Sequence, residues 1–298
     1  MDTELDNRGK YRITLSQDDN NDVRIMACDR IGLKTRVLDV GCACGDFGEW
    51  LVRCKSCDVH GMDFNSESIK IADSLNIYSQ LNIVNLNTFQ TDDFEHYKYY
   101  FDYIVLLDVL EHLIYPEDIL LRLIPYLKYN GKLIISLPNI SFGDVKLQLL
   151  QDNFVYTDTG ILDRTHLRFF TWKSMVELFS KLGFEIISCQ ARIENICVPA
   201  RTPWTVSYFI GRNINSYIYQ YVFELNLSQL NTEELILINL KKMEMEYLQI
   251  KQRVILLRKF KWLNRFFPVG SWQRNFIKAI YKKILIKMCN NTTARTDK

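Results

Sequence analysis

One stretch of this 298-residue sequence combines residue types that suit the binding of a small molecule. An apolar strand is predicted at 36–40, and it runs into a turn that contains Gly41 and Gly45. Glycine lets the backbone turn sharply and approach a ligand without an intervening Cβ atom. The helix that follows, from about Asp46, points the free N–H groups of its first turn toward the same space. The stretch therefore predicts a ligand site at the end of a buried strand.

The spacing within this turn separates two classes of cofactor-binding protein, the nucleotide dehydrogenases and the methyltransferases. The dinucleotide fingerprint requires glycines in the pattern G-x-G-x-x-G, and an alignment on Gly41 places Ala43 and Asp46 at the other two positions. That fingerprint is therefore absent. The pattern Asp39-x-Gly41-x-Ala43-x-Gly45 instead resembles the first motif of the class I S-adenosylmethionine-dependent methyltransferases, with Ala43 in place of the usual middle glycine.

The resemblance continues in order along the chain. Asp63, at the end of the second predicted strand, matches the acidic residue that in this family accepts hydrogen bonds from both ribose hydroxyls, and Ser66 is available to cap the next helix. In this family a further acidic residue accepts a hydrogen bond from the adenine amino group. It corresponds to position 92 or 93 of this chain, and Asp93 fits the family pattern better than Asp92. The resemblance implies S-adenosylmethionine as cofactor and a set of cofactor-binding residues: Asp39, Gly41, Cys42, Ala43, Gly45, Asp63, Phe64, Asp92, Asp93, Phe94, Leu107 and Asp108.

Three later segments resemble one branch of the family. Residues 106–112 and 135–139 are similar to motifs of a branch that includes the ubiquinone-biosynthesis O-methyltransferases and many methyltransferases of surface-glycan (O-antigen-type) gene clusters. The segment 160–171 is similar to one that characterises the glycan-associated members. The resemblance covers about residues 8–195, and it implies O-methylation of a glycan, a sugar or a lipid-linked saccharide.

The candidate acceptor residues follow from what methyl transfer requires. The site must align a lone pair of the acceptor with the S–CH3 bond of the donor and exclude water. A hydroxyl acceptor benefits from a general base, for which His112 and His166 are the candidates, although a lone histidine more often caps or packs. Arg168 suits an acceptor phosphate or carboxylate, or a salt bridge with Asp163. The expected substrate-binding residues are Asn139, Tyr156, Asp163 and Arg168.

The eight cysteines suggest a rival hypothesis, in which Cys42, Cys44, Cys54 and Cys57 would bind zinc. The first two lie in the cofactor turn, whereas the last two follow the next helix, several turns away at about 1.5 Å per residue. The sequence therefore predicts no metal site. Because the protein is expected to be cytoplasmic, its cysteines are expected to be reduced. Those in apolar segments are then expected to act as small hydrophobic residues.

The remaining pattern predicts the scaffold. Strands that are short and apolar alternate with amphipathic helices, which is typical of a parallel sheet covered on both faces. We therefore expect an α/β, doubly wound, mostly parallel seven-stranded Rossmann-like sheet, with an antiparallel edge strand at 219–227, where polar and apolar residues alternate. The strands are predicted at 36–40, 58–63, 83–86, 101–107, 131–137, 184–189 and 219–227, and the helices at 22–32, 46–54, 66–75, 116–129 and 171–182.

A C-terminal helical extension is predicted beyond the sheet. Its apolar residues follow a heptad spacing, which allows either pairing with a second subunit or packing on its own domain. Residues 251–298 carry 13 Lys and Arg against one acidic residue, and aromatic residues are interleaved with them, a composition that suits an anionic membrane surface. The expected domains are a methyltransferase domain at 1–228, a heptad-bearing helix at 229–263 and a basic aromatic tail at 264–298.

The sequence as a whole predicts a cytoplasmic enzyme that lies at the inner face of the membrane when its tail binds there. Neither a signal segment nor a run of about 20 apolar residues is present. The expected partners are a small polar acceptor such as a glycan, an anionic membrane and a second copy of the chain, with nucleic acid less favoured. Two alternatives stay open: a catalytically weak or inactive scaffold of the methyltransferase fold, and an RNA methyltransferase that uses the tail as an electrostatic arm.

Overall fold

The computed structural model describes residues 20–89, 91–197 and 204–264. In these ranges the chain forms seven strands and eight α-helices. The strands are Arg36–Val40 (β1), Asp58–Asp63 (β2), Gln80–Ile83 (β3), Phe101–Leu107 (β4), Leu127–Pro138 (β5), Phe184–Ile193 (β6) and Ile218–Leu227 (β7). The helices are Val23–Arg30 (α1), Asp46–Lys55 (α2), Ser66–Ser74 (α3), Pro116–Leu123 (α4), Gly143–Leu149 (α5), Trp172–Lys181 (α6), Trp204–Arg212 (α7) and Thr232–Asn264 (α8).

The seven strands form one sheet in the order β3-β2-β1-β4-β5-β7-β6. Strand β1 pairs in parallel with both β2 and β4, and β4 pairs in parallel with β5. The strand order thus runs outward from β1 in one direction and from β4 in the other. Open α/β sheets bind ligands at such a reversal, in the crevice outside the carboxyl ends of the strands. The predicted doubly wound, mostly parallel fold is confirmed, and the site is expected beyond the ends of β1 and β4.

The two central strands are buried on both faces because each carries consecutive apolar residues. Val37 and Val40 of β1, and Ile104 and Val105 of β4, are all completely buried. Met26 of α1 belongs to the same apolar cluster as Val37 and Val105, so this helix covers one face of the sheet next to the reversal point. The crevice therefore lies at the ends of two strands whose core residues are fully buried.

The strand in which polar and apolar residues alternate is β7, and it is antiparallel as predicted. It lies one strand in from the edge, between β5 and β6. Its polar residue Glu224 is buried, and its carboxylate accepts a hydrogen bond from Lys132 on β5 at 2.6 Å and one from Ser188 on β6 at 2.9 Å. The alternation therefore reflects polar side chains with partners inside the sheet, and β6 forms the edge.

Two predicted boundaries are displaced by local turn chemistry. The helix expected at 116–129 ends at Leu123, because Pro125 has no N–H to continue the helical hydrogen bonds, and β5 begins directly after that turn. The third strand is Gln80–Ile83 instead of 83–86, because the Asn85 side chain accepts the N–H of Asn87 and starts a short 3-10 helix. The short helices α5 and α7 were not predicted.

The extension predicted after the sheet is the 33-residue helix α8. Leu235 and Asn239 are buried near β6. Of the predicted heptad residues, Leu240 is exposed, Ile236 is half-buried and Val254 is buried. The chain divides into two compact units within this helix, between Glu244 and Met245. The predicted three-part division stays a prediction, and residues 265–298 of the basic tail lie outside the described residues.

No helix in the described ranges combines the length and the apolarity that a membrane span requires.

Asn239 joins α8 to the sheet through three buried hydrogen bonds. Its amide nitrogen donates to the Ser180 hydroxyl and to the Phe184 carbonyl, both at 3.0 Å, and its amide oxygen accepts the N–H of Ile186 at 2.8 Å. We expect Asn239→Ala to lower the free energy of unfolding by about 2–4 kcal/mol, because it leaves buried main-chain groups without partners. Urea denaturation measures this change. The matched control Gln249→Ala, at an exposed position of the same helix, should cost far less, and an equal cost would contradict the assignment.

Candidate active site

The turn after β1 has the backbone conformation that the sequence predicts. Gly41 and Gly45 have positive φ values of 77° and 88°. A Cβ atom on Gly41 would lie 2.6 Å from the Val109 side chain, so no larger residue fits between the turn and the chain that follows β4. Gly45 is the N-cap of α2. The turn thus brings bare backbone to the end of β1.

Ala43 occupies the middle position of this turn and also has a positive φ, of 46°. That conformation costs a residue with a Cβ atom about 1–2 kcal/mol. Its N–H donates to Oδ2 of Asp63 at 2.9 Å, while Oδ1 of the same carboxylate accepts the N–H of Asn65 at 2.8 Å. Asp63 therefore holds the turn in place from the end of β2, and each of its oxygens keeps a second lone pair.

The residue that caps α3 is Asn65 and not Ser66. The Asn65 side chain accepts the N–H groups of Glu67 and Ser68, at 2.9 and 3.1 Å, and Ser66 is the first residue inside the helix. Asp63 therefore does not serve as the cap. Its carboxylate lies between the turn and the cavity, where the resemblance to the methyltransferases expects a residue that binds ribose.

Asp39 lies below the turn, inside the sheet. It is 3% exposed, and Oδ2 accepts a hydrogen bond from the Tyr78 hydroxyl at 3.1 Å. Burial, together with the nearby carboxylate of Asp63, raises the pKa of Asp39 to about 7, although the Tyr78 hydrogen bond opposes the shift. Tyr78 was not predicted, because nothing in its local sequence marks it as a partner of a residue 39 positions away.

A cavity of about 890 Å³ opens above the carboxyl ends of the central strands, within the size range of small-molecule sites. Most of the predicted site residues line it. They are Asp39, Gly41, Cys42, Ala43, Asp63, Phe64, Leu107, Asp108, Asp163, His112 and His166.

Four predicted cofactor residues are not found among the described residues that line the cavity. Gly45 caps α2 and is not part of the lining. Phe94 is buried against the rings of Phe89 and Tyr126, so it packs in the core next to the site. Asp92 and Asp93 lie in the 3-10 helix Thr91–Tyr97, and their side chains fall outside the described part of the structure, so the adenine role stays a prediction.

Asp108 directly follows β4, has a positive φ of 58° and is held by a polar network. Its N–H donates to the Ser136 hydroxyl at 2.9 Å, and that hydroxyl donates back to Oδ1 of Asp108 at 2.6 Å. Gln220, on β7, donates to the same carboxylate. The network joins the ends of three strands at the floor of the cavity, and Gln220 and Ser136 were not predicted.

Of the four predicted substrate-binding residues, only Asp163 lines the cavity. Asn139 is completely buried, and its amide donates to the main-chain carbonyls of Asn215 and Ile218, at 3.0 and 2.8 Å, so it joins two segments of the fold. The guanidinium of Arg168 donates to the carbonyl of Ile114, and not to Asp163. The half-exposed Tyr156 lies outside the lining as well.

The two predicted catalytic histidines are brought together. Their ring centroids lie 4.7 Å apart in an edge-to-face arrangement. His112 ends the short 3-10 helix Leu110–His112, whereas His166 belongs to a segment 54 residues later. The main-chain carbonyl of Glu111 accepts the N–H groups of Leu167 and Arg168, at 2.8 and 3.0 Å, which holds the two segments side by side.

Burial lowers the pKa of His166, although the Ile161 carbonyl on its ring nitrogen opposes the shift. The imidazole is therefore neutral at neutral pH. Nδ1 of His166 lies 2.9 Å from that carbonyl, and Nδ1 of His112 lies 3.2 Å from the carbonyl of Thr165. Since a carbonyl only accepts, each Nδ1 is the donor, and in the neutral form of either ring this leaves Nε2 with a free lone pair.

The site combines four features: a strand, a tight turn with exposed backbone, an acidic residue at the end of the next strand, and a cavity where the strand order reverses. Together they define a nucleotide-type cofactor site of the methyltransferase class. A family model described as a methyltransferase domain matches residues 13–189. The chain belongs to this family, and S-adenosylmethionine is its methyl donor.

Curated proteins similar to this chain are described as O-methyltransferases. The chain is 26% identical over 193 residues to a ubiquinone biosynthesis O-methyltransferase of Rickettsia typhi, a match that covers 61% of this chain and 75% of the relative. It is 24% identical over 182 residues to the protein of the same name in Rickettsia prowazekii, covering 60% and 69%. Among solved structures, a S-adenosylmethionine-dependent methyltransferase of Methanosarcina mazei aligns with a TM-score of 0.48 at 18% identity, covering 68% of this chain and 97% of that one.

The buried carboxyl of Asp39 makes the stability of the protein depend on pH. Its pKa is about 7 in the folded protein, against an ordinary value of 3.8, so the folded state binds this proton more tightly than the unfolded chain does. The contribution of Asp39 is therefore fully present below about pH 4 and is lost as the pH rises through 7. We expect Asp39→Asn, which keeps the acceptor for Tyr78, to unfold at higher urea than the parent at pH 8 and to lose that advantage near pH 4. Urea titrations across this range measure the effect, and a pH-independent difference would contradict it.

Proposed function

We propose that the protein transfers the methyl group of S-adenosylmethionine to a hydroxyl oxygen of a polyhydroxylated acceptor, namely a sugar of a glycan or of a lipid-linked saccharide. The observation that carries the proposal is that one cavity is lined both by the glycine turn with Asp63 and by the paired histidines His112 and His166. The first group suits the donor, and the second suits an acceptor that must lose a proton.

The residues on the donor side fit S-adenosylmethionine. The carboxylate of Asp63 has two oxygens, each with a lone pair left after its backbone hydrogen bond, which is the arrangement that a vicinal ribose diol requires. Gly41 and Ala43 expose backbone beside it without a long side chain. S-adenosylmethionine supplies an activated methyl group on a sulfonium, so the chain itself need only bind, orient and exclude water.

The residues on the acceptor side favour a polar acceptor. Asp163, His166 and Arg192 line this part of the cavity together with Tyr219. Carboxylate, imidazole and guanidinium groups recognise hydroxyl groups by hydrogen bonds, and the buried, neutral His166 is available to the proton that leaves the acceptor. The relatives named as O-methyltransferases support oxygen as the methylated atom. The glycan assignment rests on the likeness of 160–171 to the glycan-associated branch.

A screen with isotope-labelled S-adenosylmethionine tests the acceptor class. The candidate acceptors, each incubated with the full-length protein, are nucleotide sugars, lipid-linked saccharides, phenolic quinone precursors and total RNA. Label in a saccharide that is stable to mild base, which cleaves methyl esters, supports the proposal. Label only in a phenol or in RNA, or only in a carboxyl group, contradicts the acceptor class while leaving the methyltransferase assignment intact.

Asp63 is expected to control cofactor affinity. We predict that Asp63→Asn weakens S-adenosylmethionine binding by roughly 10- to 100-fold, because hydrogen bonds to a charged acceptor contribute about 1.5–3 kcal/mol. Isothermal titration calorimetry measures the affinity. The control Asp73→Asn, at an exposed position of α3, should bind like the parent. An unchanged affinity in Asp63→Asn, with the fold intact, would remove Asp63 from the cofactor site.

His166 is expected to control transfer and not donor binding. We predict that His166→Ala lowers the turnover number roughly 100-fold or more, the usual size of a proton-transfer contribution, with unchanged affinity for S-adenosylmethionine. His96→Ala, at an exposed histidine that does not line the cavity, provides the matched control. If His166→Ala retains the turnover of the parent, the acceptor side has been placed wrongly.

A further inference from the structure

Three side chains with metal-binding atoms converge at the acceptor side of the cavity. Glu111, His112 and His166 each offer one ligand atom, and these atoms all lie within 4.8 Å of one another. All three residues line the cavity. Two of them are neighbours after β4, and the third is brought to them by the hydrogen bonds of the Glu111 carbonyl.

The carboxyl of Glu111 is buried without a hydrogen-bond partner for one of its oxygens. The residue is 1% exposed, and Oε2 accepts no hydrogen bond from the described residues. The charged groups that face it are the carboxyls of Asp108 and Asp163, which are both acidic and do not offset its charge. Burial of a carboxylate without a partner destabilises a fold, and a cation bound in the cavity would offset that cost.

Both histidines are oriented for metal binding by the groups behind them. Nδ1 of His112 faces the carbonyl of Thr165, and Nδ1 of His166 faces the carbonyl of Ile161. A histidine that binds a metal through one nitrogen usually donates the other N–H to a carbonyl or a carboxylate, which fixes the ring and its tautomer. Here both rings have that second hydrogen bond, and both Nε2 atoms are left free.

We propose that Glu111, His112 and His166 bind one divalent transition-metal ion, through the Glu111 carboxylate and the two Nε2 atoms. Two histidines and one carboxylate are a known ligand set for zinc and for iron(II), and the set leaves open positions on the ion. Ligand atoms at bond lengths of about 2.0–2.1 Å lie roughly 3.4 Å apart, so small side-chain rotations close the site.

The role of this metal site in methyl transfer rests on the proposed function, which the site makes more specific. The open positions of the ion face the cavity, where they would hold oxygen atoms of the acceptor and lower the pKa of a bound hydroxyl. Under this proposal His112 and His166 are metal ligands, which replaces the free-base role considered for His166 above, and the proton of the metal-bound hydroxyl passes to water in the cavity. The site is also distinct from the zinc hypothesis considered for the cysteines, since Cys42 and Cys44 are buried in the cofactor turn.

The test is a titration of the full-length, chelator-treated protein with Co²⁺, followed by its visible absorption and by calorimetry. We expect one Co²⁺ per chain, with the absorption bands of nitrogen and oxygen ligation. Glu111→Gln and His166→Ala should each weaken binding by at least roughly 10-fold. The controls Glu117→Gln, an exposed acid on α4, and His96→Ala should bind Co²⁺ like the parent.

Thermal melting distinguishes a metal-binding role of Glu111 from a structural one. Metal-free Glu111→Gln should melt at the same temperature as the parent or higher, because the carboxyl has no partner at Oε2 to lose. Co²⁺ should raise the melting temperature of the parent but not of this variant. Absence of saturable binding in the millimolar range, or binding unchanged in both Glu111→Gln and His166→Ala, would overturn the proposal.

The affinity for S-adenosylmethionine, measured in the same preparations, distinguishes the two proposals. Cofactor binding without Co²⁺ binding overturns the metal site and leaves the methyltransferase function in place. Co²⁺ binding to a chain that does not bind S-adenosylmethionine supports the metal site and contradicts the proposed function.

Discussion

The hydrogen bond between the Ala43 N–H and the Asp63 carboxylate is the constraint on which the cofactor side of the cavity depends. It joins the turn after β1 to the end of β2, and the second oxygen of Asp63 fixes the N–H of Asn65 at the entry to α3. One carboxylate therefore sets the relative positions of a turn, a strand and a helix. It also stabilises the left-handed conformation of Ala43, which a residue with a Cβ atom rarely adopts. A site held in this way needs little reorganisation when the donor binds.

The floor of the cavity is organised by a second buried polar group. Asp108, Ser136 and Gln220 hydrogen-bond to one another and so connect β4, β5 and β7 at the point where the sheet meets the cavity. Polar groups inside a core stabilise one arrangement over its competitors only when their hydrogen bonds are satisfied, since an unpaired group costs more than the bond provides. The insertion of β7 between β5 and β6 is coupled to the site in this way, because Gln220 reaches the residue that directly follows β4.

The sequence predicted the parts of the structure that local pattern determines. The bounds of β1, β2 and β4 agree with the structure because continuous apolar runs end at turn residues, and the glycine turn and Asp63 fall where a strand gives way to a helix. What the sequence could not supply were contacts between distant residues. Tyr78 pairs with Asp39, and the buried residues of β7 have partners on its neighbouring strands, so alternation that looked like exposure is instead internal pairing. Asn139 and Arg168 were polar residues near the site in sequence, but main-chain carbonyls elsewhere in the fold take up their hydrogen bonds.

The two hydrogen bonds that the Glu111 carbonyl accepts from the N–H groups of Leu167 and Arg168 involve main-chain atoms alone. Every residue type except proline offers the same N–H, so a side chain that makes no other hydrogen bond is free to differ without moving His166. Leu167, whose side chain is 53% exposed, is such a position. The position of His166 is thus set independently of the exposed side chain next to it, so a substitution at Leu167 leaves the histidine pair in place.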